Sequence, residues 1–191
     1  MNEETNQIEM DYSFLEKIGP IDFENFSVED GIQLLKDIGC PDWVIGHSIG
    51  VSNKAVEIGA NFDNVDMELL RFGGLLHDIG RSQTSSIEHA VIGARILSKL
   101  GFREDLVNVV ERHIGTGLTV EDAKELGLPI KDYTPQTLEE KIVSHADNLF
   151  NGADEVDVDF TIEKWKRKLG ENHPSIEKIK EIHEDLVGRF E

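Results

Sequence analysis

Six side chains in this 191-residue sequence could together bind transition metals: His47, the adjacent pair His77 and Asp78, His89, His113 and Asp147. Imidazole and carboxylate donors suit iron, manganese, cobalt or nickel. His77 and Asp78 close the apolar run "GGLLHDIG", at residues 73–80. On a helix, successive side chains diverge by about 100°. Two adjacent inward ligands therefore ask for a centre wide enough for two ions, with His77 on one ion and Asp78 bridging through its two oxygens. For any one of these histidines alone, a hydrogen-bonded core residue is the simpler account. Four of them beside an acid pair point instead to ligands converging in the middle of a helical bundle.

The elements that must position these residues read as helices from about residue 27 onward. "SVEDGIQLLKDIG" opens with Ser27 and Asp30 at capping-box spacing and closes on Gly39. "PDWVIGHSIGVSNKAVEIGA" places Pro41 at a first helical position and carries His47 among apolar residues at helical spacing. "DMELLRFGGLLHDIG" has Asp66 as N-cap and Gly80 as its stop. "SIEHAVIGARILSKLG" carries His89 and "REDLVNVVERHIG" carries His113, each ended by a glycine. Thr119 with Asp122, and Thr137 with Glu140, repeat the capping-box pattern; the second precedes "KIVSHADNLF" and Asp147. No segment alternates with period two, so the expected class is all-α, a single-domain helical bundle.

The chain is expected to divide into three stretches. Residues 1–26 are irregular and form an N-terminal arm, residues 27–155 the metal-binding helical domain, and residues 156–191 two C-terminal helices packed on it, near 161–169 and 174–190. The acidic turn "GADEVDVD", 152–159, separates bundle from C-terminal helices and is a candidate hinge. The insertion "GLTVEDAKELGLPIKDYTP" before Asp147 is long enough to roof a pocket. His145 lies two positions before Asp147, so on a helix it points to nearly the opposite face and is read as a non-ligand. His173 and His183 read as surface histidines.

Composition narrows the partners. A net charge of −19 argues against broad binding to a nucleic-acid backbone, while leaving room for a small phosphorylated substrate at a locally positive site. Bound metal ions would supply that positive charge. "KWKRK", Lys164 to Lys168, is the one basic cluster; it could meet a phosphate tail or RNA, and reads first as a solvated helix face. No run approaches the roughly 20 apolar residues of a membrane span. The single cysteine, Cys40, leaves no intrachain disulfide, and a reducing, cytoplasmic setting is expected. Oligomeric state is not legible.

The order His47, His77-Asp78, His89, His113, Asp147 resembles the HD-domain superfamily of metal-dependent phosphohydrolases, in the subgroup with two extra histidines between the HD pair and the last aspartate. "GLLHDIGR" looks like the central motif, and the likeness spans about residues 42–150. "EEKIVSHADNLF" is similar to the last-aspartate segment of small archaeal members and of bacterial hydrolases of symmetric dinucleoside tetraphosphates. The resemblance implies two divalent metals, iron or manganese foremost, with cobalt or nickel as further options. It assigns His47, His77, Asp78 and Asp147 to one ion, and His89, His113 and the second oxygen of Asp78 to the other.

It also implies the chemistry: attack by a metal-bridging hydroxide on a nucleotide or related phosphate ester. Asp78 and Arg81 are the expected catalytic residues. Arg81 stands where the family often has lysine, and its planar fork can meet two phosphate oxygens. Thr116, in the "GTG" that follows His113, is a second expected substrate contact; a flexible helix end is the simpler account of that tripeptide. Two rivals share the ligand set: a di-iron oxygenase of the HD type, and a non-enzymatic nucleotide-binding sensor.

Overall fold

A computed structural model describes residues 8–190 of the chain. Nine α-helices and a two-stranded hairpin make up its regular structure, apart from short 3₁₀ turns, among the described residues. The class is all-α, as expected, and the hairpin is the addition.

Ser27 accepts from the Asp30 backbone N–H and Asp30 accepts in return from the Ser27 N–H, so α1 (Val28–Ile38) starts on a complete capping box. Gly39 ends it in the left-handed conformation, φ 91°. Helix α2 (Asp42–Gly59) begins one residue later than expected, with Pro41 as its N-cap rather than its first helical residue. Asp66 caps α3 (Met67–Leu76) through the Leu69 N–H. Helices α4 (His89–Leu100) and α5 (Glu104–Glu111) follow. Thr119 and Asp122 form a full capping box on α6 (Val120–Glu125). Thr137 caps α7 (Leu138–Asn148). Here the expected box is only half made: the Glu140 carboxylate instead accepts from the Gln136 N–H and from Arg112. Helices α8 (Val158–Leu169) and α9 (Pro174–Leu186) complete the chain, the first starting three residues earlier than the sequence suggests.

Helix α3 is the centre of the bundle, packed against α1, α2, α5 and α7. Its Leu70, Leu75 and Leu76 are wholly buried with Val44 and Val51 of α2, Val110 of α5 and Val143 of α7. The approach of α2 and α3 is close because Gly74 has no side chain. A Cβ there would lie 2.6 Å from the Ser52 Cα. Residues 8–26 pack Ile8, Tyr12, Phe14, Leu15 and Phe26 against the same core, and Arg95 donates to the Ile8 carbonyl. The first seven residues of the expected arm lie outside the described residues.

The insertion before α7 does not roof a pocket. It folds over α4 as a small second core of Val91, Ala123, Leu128 and Tyr133. The acidic turn also differs from expectation. Phe150–Asn151 (β1) and Asp154–Glu155 (β2) pair antiparallel around Gly152 and Ala153, with positive φ at Gly152 alone, the pattern of a type II′ hairpin. Two residues per strand are too few for an alternating pattern to register in the sequence. No helix among the described residues is long and apolar enough to cross a membrane.

Candidate metal centre

Helix α3 stops at Leu76, so His77 and Asp78 are not on a continuous helix as the sequence suggested. His77 is its C-cap, Asp78 leaves helical geometry (φ −98°, ψ 13°), and Ile79–Ser82 form a 3₁₀ turn. Gly80 is therefore not a helix stop. It is the point where this turn meets α4: a Cβ at Gly80 would fall 2.0 Å from the His89 carbonyl oxygen and 2.7 Å from the Gly93 nitrogen. The close approach brings His89, the first residue of α4, up to Asp78. His113 lies just beyond the end of α5, past its C-cap Arg112.

The structure brings all six expected ligand residues together. His47 Nε2 lies 2.9 Å from Asp147 Oδ1 and 3.1 Å from His77 Nε2. His77 Nε2 lies 3.6 Å from the same Asp147 oxygen. Asp78 Oδ2 faces this group, 3.7 Å from His77 Nε2 and 3.8 Å from His47 Nε2. The other oxygen, Oδ1, faces a second group, 3.0 Å from His89 Nε2 and 3.6 Å from His113 Nε2. His89 and His113 bring their Nε2 atoms within 3.1 Å of each other. Asp78 thus stands between two nitrogen-rich clusters with one oxygen turned to each.

Hydrogen bonding sets the state of the imidazoles. His47 Nδ1 donates to the Gly152 carbonyl, His77 to Gly74, His89 to Ser86 and His113 to Val110, each at 2.7 Å. A carbonyl can only accept, so in each neutral ring Nδ1 carries the proton and Nε2 presents a bare lone pair. Two such lone pairs opposed at 3.1 Å, twice over, need a cation between them. Asp78 Oδ1 is buried and has no hydrogen-bond partner. That orphaned oxygen, in this nitrogen and oxygen donor set, fits a pair of divalent transition metals.

The electrostatics agree. Burial opposes ionisation of Asp78, but the imidazoles of His77, His113 and His89 gathered around its two oxygens outweigh it and hold the carboxyl well below the usual range. Burial likewise opposes ionisation of Asp147, and contacts from His47 and His77 pull it down. His89 is pushed down by burial and by the neighbouring His113, favouring the neutral form a metal needs. For His47 the direction is the opposite: burial is outweighed by the Asp147 and Asp78 carboxylates beside its Nε2, which draw positive charge to this position and move it upward.

A cavity of about 220 Å³ opens onto Asp78, Asp147 and His47. Arg81 lines it, with Nε 2.6 Å from Asp78 Oδ2 and its guanidinium carbon 5.9 Å from the centre of the Trp43 ring. Thr116 does not line this cavity; its side chain is buried in the loop after His113. It is the neighbouring Gly115 that joins this loop to α7, its carbonyl accepting from Ser144 Oγ and Asn148 Nδ2. The basic cluster "KWKRK" divides by face. Lys166 pairs with Glu163, whereas Lys164 and Trp165 line the cavity, so the solvated face describes only part of the cluster.

His145 turns away from the centre. It is buried, and its Nε2 lies 3.0 Å from His183 Nδ1 on α9. Burial, with His183 and Lys54 nearby, pushes His145 down to about 3. His183 is accordingly not the free surface histidine expected. His173 acts as the N-cap of α9, accepting from the Ser175 N–H.

This arrangement has relatives. The family model described as HD domain matches residues 44–152. The chain is 51% identical over 162 residues to an uncharacterized protein of Methanocaldococcus jannaschii, covering 83% of this chain and 95% of that one. It is 42% identical over 155 residues to a tRNA (cytidine(56)-2'-O)-methyltransferase of Thermoplasma volcanium, covering 81% of this chain but 45% of that protein. Among solved structures, it is similar to the HD domain of the phosphodiesterase PgpH from L. monocytogenes in complex with cyclic-di-AMP. The TM-score is 0.56 at 20% identity, over 82% of this chain and 94% of that one. The matched span begins just before His47 and ends on the hairpin glycine that holds its ring, so it contains all six ligand candidates, and the chain belongs to the HD domain family.

Proposed function

We propose that this protein is a binuclear-metal phosphohydrolase or phosphodiesterase acting on a small nucleotide-like phosphate ester. The observation that carries the reading is the opposition of bare imidazole nitrogens in two pairs, with one Asp78 oxygen facing each pair. His47, His77, Asp147 and Asp78 Oδ2 would hold one ion, and His89, His113 and Asp78 Oδ1 the other. Iron or manganese is compatible with the mixed imidazole and carboxylate donor set, and availability would decide which is loaded. When bound, such ions supply a water of lowered pKa and Lewis-acid neutralisation of phosphate charge.

The protein's own residues contribute orientation and charge. The four carbonyl-anchored Nδ1 atoms fix the rings, so that no reorganisation is needed as a ligand arrives. Arg81 engages Asp78 only through Nε. Its two terminal nitrogens have no hydrogen-bond partner among the described residues and remain available at the cavity for phosphate oxygens. A fixed guanidinium there would stabilise the charge that develops on equatorial oxygens during in-line displacement. The PgpH domain, a phosphodiesterase seen with cyclic-di-AMP, supports a nucleotide-like substrate. A cytoplasmic setting suits a chain whose one cysteine is a free thiol.

The test is a hydrolysis screen of metal-reconstituted protein over dinucleoside polyphosphates, nucleoside mono- and diphosphates, and cyclic phosphodiesters. Release of a phosphate or nucleotide product from at least one class is expected. Failure on every class, with oxygen uptake by the iron-loaded protein, would replace this reading with a di-iron oxygenase.

A further inference from the structure

Trp43 and Trp165 are the only tryptophans in the sequence, and both line the mouth of the metal-centre cavity. They reach it from different parts of the chain, Trp43 from the first turn of α2 and Trp165 from α8. Both lie outside the span matched by the family model. Neither ring is wholly taken up by packing: Trp43 is 55% exposed, and Trp165, which packs on the Ile162, Ile176 and Ile179 cluster, is still only half-buried. A large exposed indole is unusual on a surface as acidic as this one, and two at one opening call for an explanation.

The geometry of α8 fits a role in the site. Thr161, Lys164 and Trp165 fall at i, i+3 and i+4 and share one face, and all three line the cavity. Thr161 Oγ1 donates to the Asn148 carbonyl at 2.5 Å, tying that face to the end of α7, one residue past Asp147. The indole of Trp165 rests near Gly115, where an added Cβ would lie 3.6 Å from it. Lys164 donates to the neutral Asn151 side chain, and no carboxylate pairs with it among the described residues. Its charge is therefore not cancelled. With Arg81 it gives the opening two cations in a molecule of net charge −19.

Resting on the phosphohydrolase reading above, we infer that Trp43 and Trp165 hold the planar base of a nucleotide substrate by stacking, while Lys164 receives phosphate at the outer edge of the cavity. Aromatic rings accept any base, because every base has a π-face. The cation beside them reads the phosphate. Helix α8 is then the element that turns a general metal centre into a nucleotide site.

The two indoles make the test direct, because all tryptophan emission comes from this opening. Metal-loaded protein is titrated with adenosine monophosphate and, separately, with ribose phosphate, exciting where tyrosine does not absorb. The nucleotide should quench emission and ribose phosphate should not. Trp43→Phe and Trp165→Phe each leave one indole, and quenching should persist in both. Trp165→Ala should weaken adenosine monophosphate binding on the order of 10-fold, with Trp165→Phe recovering most of that affinity. Lys164→Ala should weaken both ligands, and Lys164→Arg should restore them.

Equal response to the two ligands, or loss of quenching in either single-tryptophan protein, overturns the inference. So does equal weakening of both ligands by Trp165→Ala together with a lowered melting temperature, which is the mark of a packing residue. Hydrolysis is scored separately. Phosphate release without base-dependent quenching would refute the stacking role and leave the phosphohydrolase reading intact. Base-dependent quenching without phosphate release would do the reverse.

Discussion

His47 and His77 point their Nε2 atoms at each other across 3.1 Å, while each Nδ1 is committed to a backbone carbonyl. Neither ring can relieve the opposition by changing tautomer without abandoning its carbonyl, and for His77 that carbonyl is the buried one of Gly74, at a cost of about 1–3 kcal/mol. The pair is preorganised for a cation, and His89 with His113 repeats the arrangement on the other side of Asp78.

Asp78 offers one oxygen to each cluster, so its loss should be felt by both. Asp78→Ala is expected to abolish binding of both ions, whereas His113→Ala should mainly empty one site. Elemental analysis of the two purified variants beside wild type checks this. A variant at Asp78 that keeps a full complement of metal would remove the bridge from the account.

Arg81 separates phosphate chemistry from metal binding alone. Arg81→Ala should keep the metals and the fold yet lower turnover about 10²-fold, the scale of losing one preorganised electrostatic contact. Arg81→Lys should recover part of the loss, because charge is kept without the two-pronged geometry. A residue that only supported local structure would instead change stability by about 0.3–1 kcal/mol and leave turnover alone.

His145 serves as the control within the same helix. Because it is bonded to His183 and turned from the centre, His145→Ala should retain metal while losing stability, about 1 kcal/mol for the hydrogen bond to half-buried His183 and more for the buried ring removed. Urea unfolding and metal content, measured on the same preparation, check it. Metal loss on the scale of His47→Ala would show that the face of α7 has been misassigned.

Much of the centre was legible in the sequence because most of its chemistry is carried by histidine, of which the chain has seven. Four of them lie on or beside apolar stretches of separate helices, and that spacing survives small errors in helix ends; the two aspartates, among 38 acidic residues, are marked only by the motifs that hold them. What the sequence did not disclose depends on contacts between distant segments. Gly80 reads as a helix stop, yet its role is set by the His89 carbonyl that a Cβ would strike. The hairpin reads as an acidic hinge, yet its Gly152 carbonyl orients His47. "KWKRK" reads as a solvated face, since helical spacing divides charges between faces but does not say which face meets a cavity formed by other helices.

Cys40 gives a pH-dependent prediction outside the site. Burial, with the charge of Asp78, pushes its thiol up to about 12. An unfolded thiol ionises near 8.5. Between these values the folded chain holds a proton that the unfolded chain has lost, so this contribution to stability is complete at lower pH and declines as pH rises toward about 12. At pH near 8 the folded protein should resist alkylation and react promptly once unfolded in urea. Rapid modification of the native protein would contradict the burial of Cys40.

The central claim is tested most directly by the metal-to-chain ratio of wild-type protein after reconstitution with iron or manganese and removal of loosely bound ions. A ratio close to two is expected, falling toward zero in Asp78→Ala. A well-folded wild-type protein that retains no metal, or only one ion that survives in Asp78→Ala, would contradict it.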